Sequence, residues 1–152
     1  MDRQVTTNDH KQVICETRFR VRYAETDRMG VVYHANHLVW FEVGRVEFLR
    51  HLGFSYRDME HEDNCHLAVV EARCRYRAPA HYDDEILVRT HIKNLRESVV
   101  HFGYELLRVT DGQLIAEGET THIAIDANMK ITTFPEKYMS ALRSAVGNPA
   151  RK

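Results

Sequence analysis

Asp27, Gly30 and His34 stand three and four residues apart in the stretch YAETDRMGVVYHAN (23–36), and a long helical pattern follows at once. A helix that begins near His34 offers backbone N–H groups with no partner inside the helix, together with the positive end of its dipole. A carbonyl oxygen that gains negative charge under attack is stabilised at such a place. A carboxylate at Asp27 can approach the same point from the side. It can attack the carbonyl itself or take a proton from a water that does. Gly30 lets the chain turn tightly and a substrate come close to the backbone. The combination suits acyl transfer to water. A capping carboxylate beside an ordinary turn glycine gives the same D-x-x-G without any chemistry. On that bland reading His34 is an exposed residue at a helix start and Tyr23 a packing residue with its hydroxyl at the rim. Glu25 reads as a solvated loop acid.

Elements on both sides must hold this loop. Residues 17–24, TRFRVRYA, alternate Arg with Phe, Val and Tyr, the period-two sign of a strand with one wet face. Within 35–53, Leu38, Phe41, Phe48, Leu49 and Leu52 fall at helical spacings, and Gly53 sits where a C-cap glycine would. Val39, Trp40, Val43 and Val46 widen the apolar surface, so the pattern predicts a helix buried on several sides. A connecting region (54–64) leads to HLAVVEARCRYRA (66–78), an alternating strand that Pro79 breaks and HYDDE turns. EILVRTHIKNL (85–95) and SVVHFGYELLRV (98–109) read as two further strands. TDGQ then gives a hairpin signal, with both central residues expected at positive φ. LIAEGETTHIAID (114–126) is the last long strand, and Pro135 opens a terminal helix with Met139, Leu142 and Val146 on its apolar face. Residues 1–14 read as a loose arm and 147–152 as a tail, which leaves 15–146 as the folded domain. One long helix among mostly antiparallel strands predicts an α+β fold, its sheet curling around the helix.

Composition narrows the function further. A chain of 152 residues suits one domain with a real core, and a net charge of -1 gives no basis for a nucleic-acid partner. No run reaches the length of a membrane span, and MDRQVTTNDHKQ lacks the apolar core of a signal peptide. Cys15, Cys65 and Cys74 form no CxxC pair and are odd in number, which fits reduced thiols in a cytoplasmic protein. Among ten histidines, His34 and His37 are three apart, but no HExxH and no third ligand accompanies them, so no metal is expected. Neither a G-x-S-x-G elbow nor a glycine-rich phosphate loop is present, and nothing calls for a cofactor.

The segment YAETDRMGVVYHANHLVWFEVGR resembles the signature of the 4-hydroxybenzoyl-CoA thioesterase-like acyl-CoA thioesterases. Their pattern Y-x-x-[TD]-D-x-x-G-[VI]-V-[YF]-[HY]-x-[NS]-[YH] is matched at Tyr23, Thr26, Asp27, Gly30, Val31, Val32, Tyr33, His34 and Asn36. RAPAHYDDEILV (77–88) and AEGETTHIAID (116–126) extend the likeness over about 16–138. The resemblance implies a hot-dog fold, an antiparallel sheet wrapped around one long central helix. It implies that Asp27 is the catalytic nucleophile or general base and that the His34 N–H polarises the thioester carbonyl. It pairs the Tyr23 and His34 side chains with the aspartate, and makes Gly30, Val31, Val32, Tyr33 and Asn36 the substrate-binding segment. Because the aromatic-acyl branch often has another aromatic at position 34, His34 resembles the bacterial short-chain branch, acting on aliphatic or mixed acyl groups. A second group with this fold carries its acid on the helix, where Glu42 and Glu47 stand. The resemblance also implies a homodimer or homotetramer with its site between subunits. By charge alone, Arg73, Arg75, Arg77, Arg89, Lys93 and Arg96 are candidates for the CoA phosphates. The rival readings share the fold: a dehydratase, a non-catalytic acyl-CoA-binding protein and an acyl-carrier-protein thioesterase.

Overall fold

The computed structural model describes residues 2–9, 11–54 and 56–147, so most of the tail expected at 147–152 lies outside the described residues. In chain order the elements are β1 (Asp2–Thr7), β2 (Val13–Arg20), a 3-10 turn (Tyr23–Glu25), α1 (Asn36–His51), α2 (Tyr56–Glu62), β3 (His66–Tyr76), β4 (Glu85–Leu95), β5 (Val99–Arg108), β6 (Leu114–Ile125) and α3 (Glu136–Val146). The strands form one sheet in the order β1-β2-β4-β5-β6-β3, and every pairing is antiparallel. Helix α1 lies against β2, β4, β5 and β3, so the sheet wraps it as the hot-dog arrangement requires.

Four features depart from the sequence reading. The strand expected over 17–24 runs Val13–Arg20, and Tyr23–Glu25 form a 3-10 turn. Residues 2–7, expected in a loose arm, pair with β2 with Val5 opposite Cys15. DRQVTT carries one strongly apolar residue, so an edge strand there leaves little periodicity to read. The connecting region contains α2, with Met59 buried. In the β5–β6 hairpin only Gly112 takes positive φ (+70°), while Asp111 accepts the Gln113 N–H at 3.0 Å with Oδ1.

Helix α1 is also buried differently from the expectation. Its buried residues are His37, Trp40, Phe41, Gly44, Arg45, Phe48 and Leu49, a single stripe at i, i+3, i+4, i+7 spacing. Leu38 (39% exposed) and Val39 (48%) face away from the sheet, which covers one side of the helix only. The covered side is tight. A Cβ on Gly44 would lie 2.3 Å from Thr90 Oγ1 and 3.0 Å from Val88 Cγ2, so only glycine lets α1 approach β4 this closely. Phe41 stacks on Tyr104 with ring centroids 4.4 Å apart. On α3, Tyr138, Met139, Leu142 and Ala145 are buried, and the helix packs on β4. The cysteines are unpaired, and burial pushes the Cys65 thiol up to about 11.

A polar chain crosses this core. Arg45, itself buried, donates through Nε to the Tyr56 hydroxyl (2.9 Å) and through a terminal nitrogen to the Tyr104 hydroxyl (3.2 Å). Tyr104 and Thr120 share a hydrogen bond of 2.6 Å, and Thr120 meets His122 Nε2 at 2.8 Å. Arginine only donates, so the Tyr56 and Tyr104 hydroxyl oxygens both accept from Arg45, and Thr120 links Tyr104 to His122. Desolvation first, then the Arg45 charge and then His101, push the His122 pKa down to about 3.

Between about 3 and 6.5 the unfolded chain carries a proton on this imidazole that the folded chain does not. Stability therefore rises with pH through that window and drains away as pH falls below 6.5. From pH 8 to pH 5 the loss from this one group is about 2 kcal/mol. Urea unfolding at the two pH values measures it. The His122→Gln variant, though weaker overall, is expected to show a smaller drop between them.

Candidate active site

The loop from Val21 to Ala35 is closed on itself. Thr26 bridges Val32, the Asp27 N–H donates to Val31 O at 2.8 Å, and the Gly30 N–H returns to Asp27 O at 3.0 Å. Gly30 takes φ +80°, the left-handed region that this reversal demands. Val31 bridges His81, and the Val32 N–H donates to Ala80 O at 2.9 Å, which fastens the loop to the segment ahead of β4. Asp27 Oδ1 accepts the Met29 N–H at 2.8 Å. Among the described residues its Oδ2 accepts no hydrogen bond. The carboxylate thus braces its own turn and does not cap α1, whose N-cap residue Ala35 makes no side-chain cap.

Glu25 is the largest correction to the sequence reading. It is 5% exposed, not solvated. Its Oε2 accepts the Trp40 indole N–H at 2.7 Å, and its Oε1 accepts the Arg22 N–H at 2.8 Å with the Arg22 guanidinium Nε at 3.5 Å. Its carbonyl accepts the Tyr33 N–H and the Asn36 side-chain amide, both at 2.8 Å. One residue therefore ties the start of the loop to its end and to the second turn of α1. No local pattern announces this, because Trp40 is fifteen residues away.

At the helix start the Asn36 N–H donates to Tyr33 O at 2.9 Å. Among the described residues, the N–H groups of His34 and Ala35 meet no acceptor. The His34 carbonyl accepts the Tyr76 hydroxyl at 2.7 Å and His37 Nδ1 at 3.0 Å. The other residues singled out from sequence divide in two. Val32 (5% exposed) packs in the core and Asn36 is committed to Glu25, so both brace the loop. Gly30 and Tyr33 are exposed, and Val31 is half-buried. The Tyr23 ring is 78% exposed and meets Tyr82 edge-on at 5.7 Å; the His34 ring tilts against Tyr33 at 4.4 Å. Among the described residues neither side chain hydrogen-bonds Asp27.

The charged candidates separate as well. Glu47 is paired with Arg50 at 2.6 Å and Arg3 at 3.5 Å, and Glu42 is exposed. Arg73, Arg77, Arg89 and Lys93 each engage a glutamate at 3.6 Å or less. Among the described residues Arg75 and Arg96 form no ion pair within 4.0 Å, although the Arg75 charge helps to lower the Glu117 pKa. Arg73, Arg75 and Lys93 line a concavity of about 910 Å³ on the sheet, to which no residue of the loop contributes.

Comparison with known proteins places this geometry. Residues 21–142 match the model of the thioesterase-like superfamily. YneP of Bacillus subtilis, provisionally named an acyl-CoA thioesterase, is 39% identical over 113 residues, 74% of this chain and 80% of that protein. The acyl-CoA thioesterase YbgC of Haemophilus influenzae is 33% identical over 124 residues, 80% of this chain and 89% of that protein. DHNA-CoA thioesterase from Staphylococcus aureus superposes with a TM-score of 0.81 at 30% identity, covering 86% of this chain and 89% of that chain. The chain belongs to the thioesterase-like superfamily and has the hot-dog fold.

The Trp40→Phe substitution removes the indole donor and leaves one buried oxygen of Glu25 short of a partner. The expected cost is about 2 kcal/mol of stability, read from the midpoint of urea unfolding with its slope unchanged.

Proposed function

We propose that the protein hydrolyses acyl-CoA thioesters to a free carboxylic acid and CoA, with Asp27 as the reacting carboxylate. The protein is a thioester hydrolase by family. The observation that carries the fuller reading is the Asp27 carboxylate itself: one oxygen is fixed to Met29, the other accepts no hydrogen bond among the described residues, and the loop is bolted to a helix start whose His34 and Ala35 N–H groups meet no acceptor among them. The thioester oxygen lies at the His34 N–H, where the negative charge of the tetrahedral intermediate is stabilised. Asp27 Oδ2 attacks the carbonyl carbon, or removes a proton from the water that does. The C–O bond forms, the C–S bond breaks, and the CoA sulfur leaves as thiolate and takes up a proton. Direct attack gives a mixed anhydride that water then opens. Gly30, Val31 and Tyr33 line the approach, and Tyr23 and His34 flank it. His34 in place of another aromatic favours an aliphatic or mixed acyl group. Of the cations singled out by charge, Arg75 and Arg96 form no ion pair among the described residues and are available to the CoA phosphates.

The site is completed by a second copy of the chain. Strand β3 is paired on one side only, with β6, and its Val69 (56%) and Val70 (54%) are exposed. Leu38 and Val39 on the uncovered side of α1 add to this apolar surface. An unpaired strand edge beside exposed valines invites a continued sheet. The pairing gives a homodimer, and a tetramer follows if two dimers associate.

A thiol-release assay over acyl-CoAs of different chain lengths tests the activity. Wild type is expected to turn over, and Asp27→Asn to lose about two or more orders of magnitude in kcat. Full activity in the variant, or acyl-CoA binding without turnover in wild type, would reject the reading. Sedimentation at micromolar concentration is expected to show a dimer or tetramer, and a monomer alone would contradict a shared site.

A further inference from the structure

The mechanism above uses the His34 N–H and leaves the next one unused. The Ala35 N–H belongs to the same planar, trans peptide unit as the His34 carbonyl, so the two point in opposite directions. Whatever holds that carbonyl aims that N–H. The carbonyl is held from two sides. The Tyr76 hydroxyl, from β3, donates to it at 2.7 Å, and His37 Nδ1, from the first turn of α1, meets it at 3.0 Å. A carbonyl only accepts, so His37 is the tautomer with its proton on Nδ1. Burial pulls His37 below the ordinary imidazole range and keeps the ring neutral. The His37 ring is also fixed, edge-on to Tyr76 at 4.8 Å and tilted against Trp40 at 5.3 Å. Trp40 in turn holds Glu25 and the loop that carries Asp27.

From this arrangement we infer that Tyr76 and His37 are positioning residues, which turn the Ala35 N–H outward as a second donor to the oxyanion beside that of His34. The inference rests on the hydrolase reading and deepens it. Two hydrogen bonds into the carbonyl polarise the peptide unit and make its N–H a stronger donor. They also remove the freedom of a helix-start peptide to tilt, so little rearrangement is needed when charge develops on the substrate. The Tyr76 phenol is pushed up to about 12, by desolvation first and then by Cys74, so it remains a donor throughout the working range of pH. Tyr76 is 48% exposed, so its hydroxyl can be removed without opening the core.

Tyr76→Phe tests this, because phenylalanine keeps the ring against His37 and deletes the hydroxyl, with its hydrogen bond to the His34 carbonyl and its contact with Cys74. The expected result is a fall in kcat of about tenfold, below the loss from deleting an oxyanion donor outright. KM is expected to stay within about twofold and Tm to be unchanged. A purely structural role would not give that split. A second readout needs no substrate: in protein with selectively labelled alanine, the Ala35 amide proton is expected to shift upfield in the variant as its peptide loses polarisation. If wild type hydrolyses no acyl-CoA, the hydrolase reading falls. If wild type turns over and the variant leaves either kcat or the Ala35 resonance unmoved, this inference alone is overturned.

Discussion

The hydrogen bond from the Trp40 indole to the buried Glu25 carboxylate is the constraint on which the site depends. A carboxylate taken out of water is costly unless each oxygen is satisfied, and here the satisfying groups come from different segments. Arg22 reaches it from the end of β2, Trp40 from the second turn of α1, and the Glu25 carbonyl collects Tyr33 and Asn36 from the far side of the loop. Moving the loop away from the helix would leave several of these groups unpaired at once. The position of Asp27 relative to the helix start is therefore set by a buried polar knot, while Asp27 itself stays available at the rim.

The sheet supplies the platform for that knot. Gly44 allows α1 to press onto β4, Phe41 stacks on Tyr104, and the helix cannot slide without losing both contacts. The same close fit explains why α1 is buried along one stripe only. In a single chain α1 has one sheet to lie on, and the sheet touches it along one side. Leu38 and Val39 on the uncovered side of the helix, and Val69 and Val70 on β3, remain apolar and exposed.

Much of the fold was legible because its signals are local. Period-two alternation marks β3, the strands β4, β5 and β6 lie close to where they are expected, helical spacing marks α1 and α3, and Pro135 stands at the N-cap of the last helix. The strand formed by DRQVTT was missed because a polar edge strand, paired on one side, needs no apolar alternation. The Asp-Gly hairpin was found but its geometry was not, since its longer loop lets Asp111 keep an ordinary φ and leaves the left-handed residue to Gly112. The segment from Asp27 to the helix start was visible as a motif, and the resemblance it carries extends along most of the chain. Glu25 reads as solvated from its neighbours along the chain but is buried, although it lies only two residues from Asp27.

By itself the sequence determined what neighbours along the chain can settle: a turn at Gly30, a carboxylate ahead of a helix, and strands whose alternate residues share a face. These follow from backbone periodicity and steric limits within a few residues. Only the tertiary structure decided which acid is buried, which cations are already spoken for by glutamates, and which side chains hold the His34 peptide. Tyr76 is forty-two residues from the carbonyl it binds, and Trp40 fifteen from its carboxylate. Hydrogen bonds across such separations exist only once a strand and a helix are packed at a given distance, and that distance is fixed by the close contact at Gly44, which no local pattern encodes.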